Sequence, residues 1–129
     1  MTSYRTPLRR IEGLGAARSG TTHFLLQRLT AAALVPLSVW FVASVLAYVG
    51  AEQGAVATFF AEPLNAILMA LFLLAALYHM SLGLQVIIED YFHQEGLKLV
   101  LIVLVRFIAW GMGAACGYAL VKLALGTPI

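Results

Sequence analysis

Two stretches of the chain, Leu29 to Ala51 and Pro63 to Ile88, hold no charged residue. Each is longer than the ~20 residues an α-helix needs to cross the hydrocarbon core of a bilayer. A third apolar stretch, from about Leu97 to Leu125, has Lys98 and Lys122 near its ends, where long side chains reach the headgroups, and only Arg106 inside it. The pattern predicts an all-α integral membrane bundle of three transmembrane helices, over about 25–51, 63–89 and 97–125, behind an N-terminal arm over 1–24. Roughly ten residues join the first two spans, and a similar number, Glu89 to Gly96, joins the second and third. Those connections leave no room for a soluble domain, so residues 1–129 read as one membrane domain without internal repeats.

Composition agrees with this reading. Hydrophobic residues make up 62% of the 129 positions and charged residues 11%, against about 25% charged in an ordinary soluble domain. The first apolar stretch is too long for a signal-peptide core, begins well inside the chain and is followed by no small-residue cleavage pattern. The basic start, with Arg5, Arg9, Arg10 and Arg18, reads as a short bacterial N-terminal arm rather than a transit peptide. A single cysteine, Cys116, rules out an internal disulfide or a multi-cysteine metal site. It sits among Gly and Ala and reads as packing.

Orientation follows from basic residues, which are in excess on cytoplasmic flanks. Arg5, Arg9, Arg10, Arg18 and Arg28 precede or open the first span, whereas the connection around Glu52 to Glu62 has no Lys or Arg. The N-terminus is therefore expected in the cytoplasm and, after three spans, the C-terminus in the periplasm. Lys122 is the one residue that weakens the pattern.

Polar residues inside lipid need a partner or a role. His79, in Tyr78-His79-Met80-Ser81-Leu82-Gly83, lies ten residues before Glu89, hence ~15 Å below the cytoplasmic end of its helix. Imidazole can ligate haem iron, with Gly83 one turn on leaving a flat space on the same face. A histidine hydrogen-bonded to a neighbouring helix would look the same. Glu89-Asp90-Tyr91 ends that helix; Tyr91 suits either an interfacial aromatic belt or a phenol that donates to a quinone carbonyl beside a carboxylate. Arg28, just inside the surface, suits an anionic group such as a propionate, or is an ordinary positive-inside arginine. Arg106 lies eight residues past Lys98, ~12 Å deep, and is expected to snorkel toward Glu89, Asp90 or headgroups. Gly111, Gly113 and Gly117 include a GxxxG spacing that suits close packing against a helix or a porphyrin.

Together these residues resemble a known family. His79-x3-Gly83 followed by Asp90-Tyr91 resembles the second helix of the succinate dehydrogenase membrane anchor. The approach to the first span, Gly20-x2-His23-Phe24-x2-Gln27-Arg28-Leu29-Thr30-Ala31, resembles the corresponding segment of the same family, especially in alphaproteobacteria. The resemblance covers nearly the whole chain, though the third span adds little. It implies an inner-membrane anchor of succinate:ubiquinone oxidoreductase. Its partners would be a second cytochrome b anchor subunit, an iron–sulfur subunit, a flavoprotein subunit and membrane lipid, with no nucleic acid. Haem b would lie between the two anchors, and ubiquinone would be reduced near the cytoplasmic surface. His79 would then be the axial ligand, Tyr91 a quinone hydrogen-bond donor with Asp90 beside it, and Arg28 a propionate or site-lining residue. His23 matches in kind only, and Arg106 has no counterpart.

The chain has no Rossmann glycine fingerprint and no cysteine set for an iron–sulfur cluster, so succinate chemistry must come from partners. A six-coordinate haem needs two axial ligands at one depth. His23, before the first span, and His93, in the cytoplasmic connection, are each displaced from the level of His79 by roughly ten residues' rise or more. Met112, on the third span, is a less usual partner and lies several residues below Arg106, so the second ligand is expected to be a histidine on another polypeptide. Two competing readings remain at this stage: the anchor of a fumarate reductase, and a non-enzymatic small membrane subunit without haem.

Overall fold

A computed structural model describes residues 20–125. The N-terminal arm with Arg5, Arg9, Arg10 and Arg18 lies outside the described residues apart from 20–24. Four helices follow one another: α1 (Gly20–Tyr48), α2 (Gln53–Ala61), α3 (Pro63–Tyr91) and α4 (Glu95–Ala124). Three of them, α1, α3 and α4, are long and apolar enough to cross a membrane.

α1 begins five residues before the expected start: Gly20 to Phe24, mostly small or polar, continue the helix ahead of the apolar run. Pro36 lies within it; a proline lacks the N–H for one i→i−4 bond, yet spanning helices tolerate the loss. The helix stops at Tyr48, short of Ala51. Gly50 takes a positive φ of 78°, the left-handed conformation that glycine enters without steric cost and that ends many helices.

The connection to the next span holds a short helix that the sequence reading did not anticipate, α2. Glu62 ends α2 and also precedes α3, where Pro63 opens the helix, a position that needs no N–H donor. The Asn65 side chain donates to the Phe59 carbonyl at 3.0 Å and ties α2 to α3. Phe59 also packs against Tyr48 of α1, with ring centroids 4.8 Å apart. Between α3 and α4 only Phe92, His93 and Gln94 are non-helical, so the expected connection Glu89 to Gly96 is mostly helix.

α3 is the centre. It packs against α1 on one side and α4 on the other, and α2 lies against α3 and α4. The face that α1 turns inward is half-buried at His23, Gln27, Thr30, Leu34, Leu37, Phe41, Ser44 and Tyr48. Those positions alternate four and three apart, the seam of a helix meeting one neighbour. Phe41 stacks on Phe72 of α3 at 4.6 Å. Outside such seams the chain is open: only Leu82, Ile88 and Leu120 are buried among the described residues. Side chains such as Val39, Leu46, Phe107 and Trp110 face outward, as expected for surfaces solvated by lipid or covered by other subunits.

Candidate functional site around His79

α1 and α3 run antiparallel, so one turn forward along α1 meets one turn back along α3. Gln27 lies opposite Gly83, and Thr30 opposite His79. A Cβ added at Gly83 would stand 3.7 Å from Gln27 Nε2. Gly83 therefore admits the Gln27 amide rather than leaving a bare plane within this chain, and the close approach brings the next turn of α1 onto His79. There the Thr30 hydroxyl lies 3.0 Å from His79 Nδ1. The same hydroxyl lies 2.8 Å from the Leu26 carbonyl and 3.1 Å from that of Gln27, on its own helix.

His79 is half-buried, and the contact with Thr30 is its one hydrogen bond among the described residues. Nε2, the other ring nitrogen, has no protein partner there. The donor set that this chain offers a haem iron is thus a single imidazole nitrogen in an apolar setting, with the opposite ring nitrogen held by the protein. That arrangement fits a metal-ligating histidine, whose second nitrogen is ordinarily hydrogen-bonded. Among the described residues no group of three or more His, Cys, Asp or Glu could hold a metal ion without a porphyrin.

The other expected site residues stand apart from this pair. Arg28 is two residues before Thr30, so it projects from the far side of α1, where its guanidinium carbon sits 5.1 Å from the centre of the Phe24 ring. Asp90 and Tyr91 occupy the last turn of α3, ~17–18 Å along the axis from His79. Both are exposed, Tyr91 at 77%, and neither makes a hydrogen bond or ion pair among the described residues. His23, on the same face of α1 as Gln27 and Thr30, has a buried Nε2 without a partner.

On the opposite side of α3, Arg106 donates to Gln85 Oε1 at 3.3 Å, and Gln85 Nε2 donates to Glu89 Oε1 at 2.8 Å. The expected upward reach of Arg106 thus goes through an amide rather than directly to a carboxylate. Below this relay a cleft of about 620 Å³ opens between α3 and α4, lined by Leu77, Tyr78, Ser81, Gln85, Arg106 and Trp110. Gly113 lies 3.5 Å from Leu77 at its Cβ position, whereas Gly111 and Gly117 face open space. Only one glycine of the small-residue patch therefore meets a helix of this chain. The sequence reading passed over Gln85 and gave Gln27 and Thr30 no role of their own, although both stand in the segment that carries the family resemblance. The available signal was spacing, since His23, Gln27 and Thr30 put three polar groups on one face of an otherwise apolar helix.

These features define a class: a small polytopic membrane subunit, open over most of its surface, with one partnered imidazole inside the membrane and polar groups at one end. The sequence matches the family described as succinate dehydrogenase/fumarate reductase transmembrane subunit over residues 2–113. It is 34% identical over 123 residues to the succinate dehydrogenase hydrophobic membrane anchor subunit of Paracoccus denitrificans, covering 95% of each chain. It is 34% identical over 106 residues to that of Rickettsia bellii, covering 82% of this chain and 85% of the relative. The membrane anchor subunit of Reclinomonas americana is 33% identical over 95 residues, covering 71% and 79%. No solved structure is a significant match. The chain belongs to this family of succinate dehydrogenase membrane anchor subunits. A bacterial inner membrane is consistent with the Paracoccus and Rickettsia relatives and with the three spans.

Proposed function

We propose that this subunit anchors succinate:ubiquinone oxidoreductase, supplies one axial ligand to a haem b shared with a second anchor subunit, and helps form the quinone-reduction site. The observation that carries this reading is His79, set within a spanning helix with Nδ1 against Thr30 and Nε2 without a partner among the described residues. Haem, when bound, supplies a one-electron redox centre within the membrane. His79 would hold its iron through Nε2, and Gly83 lets α1 close on the helix that carries the ligand. Arg28 reaches the surface from the outer face of α1, where a guanidinium can pair with a propionate or line the site.

Tyr91 and Asp90 present, on the last turn of α3, a phenol and a carboxylate without a partner among the described residues. A phenol donates to a quinone oxygen more strongly as that oxygen gains electron density, which favours reduction, and the adjacent carboxylate suits proton supply. The chain itself has no machinery for succinate; the flavoprotein and iron–sulfur subunits would provide it from the cytoplasmic side. In this reading the basic N-terminal arm and the α3–α4 turn face the cytoplasm, and the C-terminus faces the periplasm. Changing His79→Ala in the assembled complex should abolish or strongly shift the b-type absorbance while the chain remains inserted. An unchanged spectrum would rule out His79 as ligand.

A further inference from the structure

We infer that Thr30 is a positioning residue for His79: its hydroxyl accepts a hydrogen bond from the imidazole Nδ1–H and so presents Nε2 as the unprotonated nitrogen. The threonine oxygen has one proton and three neighbours, the Leu26 carbonyl at 2.8 Å, the Gln27 carbonyl at 3.1 Å and His79 Nδ1 at 3.0 Å. Both carbonyls can only accept. If the hydroxyl turned its proton toward the ring, its lone pairs would face two carbonyl oxygens at those distances with no hydrogen between them. The proton therefore goes to the helix backbone, the usual bond of a threonine within a helix. What the hydroxyl offers His79 is a lone pair, which requires a proton on Nδ1.

A neutral imidazole protonated at Nδ1 has its lone pair at Nε2, the nitrogen without a partner among the described residues. In hydrocarbon an unpaired polar nitrogen is unfavourable, and a metal ion takes such a lone pair directly. Thr30 is β-branched, and its oxygen is pinned by the carbonyls of its own helix, so the ring is held from a rigid point. An N–H donated to oxygen also makes the imidazole a stronger electron donor, which favours ferric over ferrous iron. This inference rests on the haem reading above.

The test uses the assembled complex with Thr30→Val, which keeps the branched shape and removes the hydroxyl, and Thr30→Ser, which keeps the hydroxyl. Thr30→Val should retain low-spin haem absorbance, raise the haem reduction potential, alter the ferric electron paramagnetic g-values, and release haem roughly 10-fold or more readily. Thr30→Ser should restore all of these toward wild type. His79→Ala, run in parallel, separates the two claims. Haem bands that survive it overturn the ligand assignment, whereas bands lost with His79→Ala but a potential and g-values unmoved by Thr30→Val overturn the role of Thr30 alone. A measurement that needs neither haem nor substitution is ¹⁵N resonance of His79 in the full wild-type chain in bilayers. It should show Nδ1 protonated and Nε2 bare; the reverse tautomer would overturn the inference even if Thr30→Val failed to assemble.

Discussion

The two flanks of α3 are built differently. Toward α1 the surface is closed, with Gln27 against Gly83, Thr30 against His79 and Phe41 stacked on Phe72. Toward α4 the packing is as extensive but a cleft opens in it, with Gly113 against Leu77 below and the relay from Arg106 through Gln85 to Glu89 above. On the haem reading proposed above, His79 has to present one nitrogen in a fixed direction, which needs a neighbour that cannot drift, and the closed side provides it. The open side has nothing comparable to hold, and its long polar side chains can span the gap. Within this chain, then, the orientation of the His79 ring is set by the α1–α3 seam, while on the α4 side the relay from Arg106 to Glu89 stands over the cleft.

The largest effect expected from this comparison concerns the missing second ligand. The closed seam supplies one imidazole, so the chain expressed alone should insert but bind little or no haem. Co-expressed with a partner anchor it should give a low-spin bis-histidine spectrum. Stoichiometric low-spin haem in the purified, monomeric chain would show that the seam suffices by itself.

Overfilling the closed side should come next. Gly83→Leu places a large side chain where Gln27 now lies, and such overpacking typically costs about 1–3 kcal/mol. Its thermal dissociation midpoint should fall and its haem should be lost, whereas Gly83→Ala, whose Cβ makes ordinary contact at 3.7 Å, should stay close to wild type. Equal damage from both would mean that the seam does not depend on this close approach.

A smaller change is expected from Tyr91→Phe at the end of α3, beyond both flanks. A neutral hydrogen bond is worth about 0.5–1.5 kcal/mol, so succinate-to-quinone turnover should fall several-fold. Succinate oxidation with an artificial acceptor that takes electrons from the soluble subunits should persist. Loss of both activities together would indicate failed assembly.

The smallest effect belongs to the open side. Gln85→Leu breaks the relay between Arg106 and Glu89, and polar contacts between membrane helices average about 0.6 kcal/mol. Stability should shift by less than ~1 kcal/mol on that scale, with the haem spectrum unchanged. A bleached spectrum in this variant would show that the two flanks are coupled.

The three spans were legible because uninterrupted apolar runs such as Pro63 to Ile88 have one stable solution in lipid, a helix that satisfies its own backbone. Their ends were less so. Gly20 to Phe24 are compatible with helix or arm, and the capping role of Gly50 depends on a backbone angle that composition does not state. α2 was missed because nine residues of mixed small and apolar character, Gln53–Ala61, are too few for a period to assert itself. His79 and Gly83 were legible as odd residues in an apolar run. Thr30 was not, because its pairing with His79 spans 49 positions and depends on how two helices slide past one another. The inward face of each span was equally hidden, since helices apolar all round give no moment from which to read it. In α1 that face is marked by the polar residues His23, Gln27 and Thr30, four and three positions apart.

The three-residue link between α3 and α4 bears on how the chain enters the bilayer. Phe92, His93 and Gln94 are the only non-helical residues between them, and the four peptide steps from Tyr91 to Glu95 reach at most about 14 Å. The end of α3 and the start of α4 therefore stay neighbours from the moment both are made, and the two helices form a hairpin by connection alone. α1 is separated from them by α2 and its flanking turns, so its seam with α3 has to be found by lateral search within the membrane.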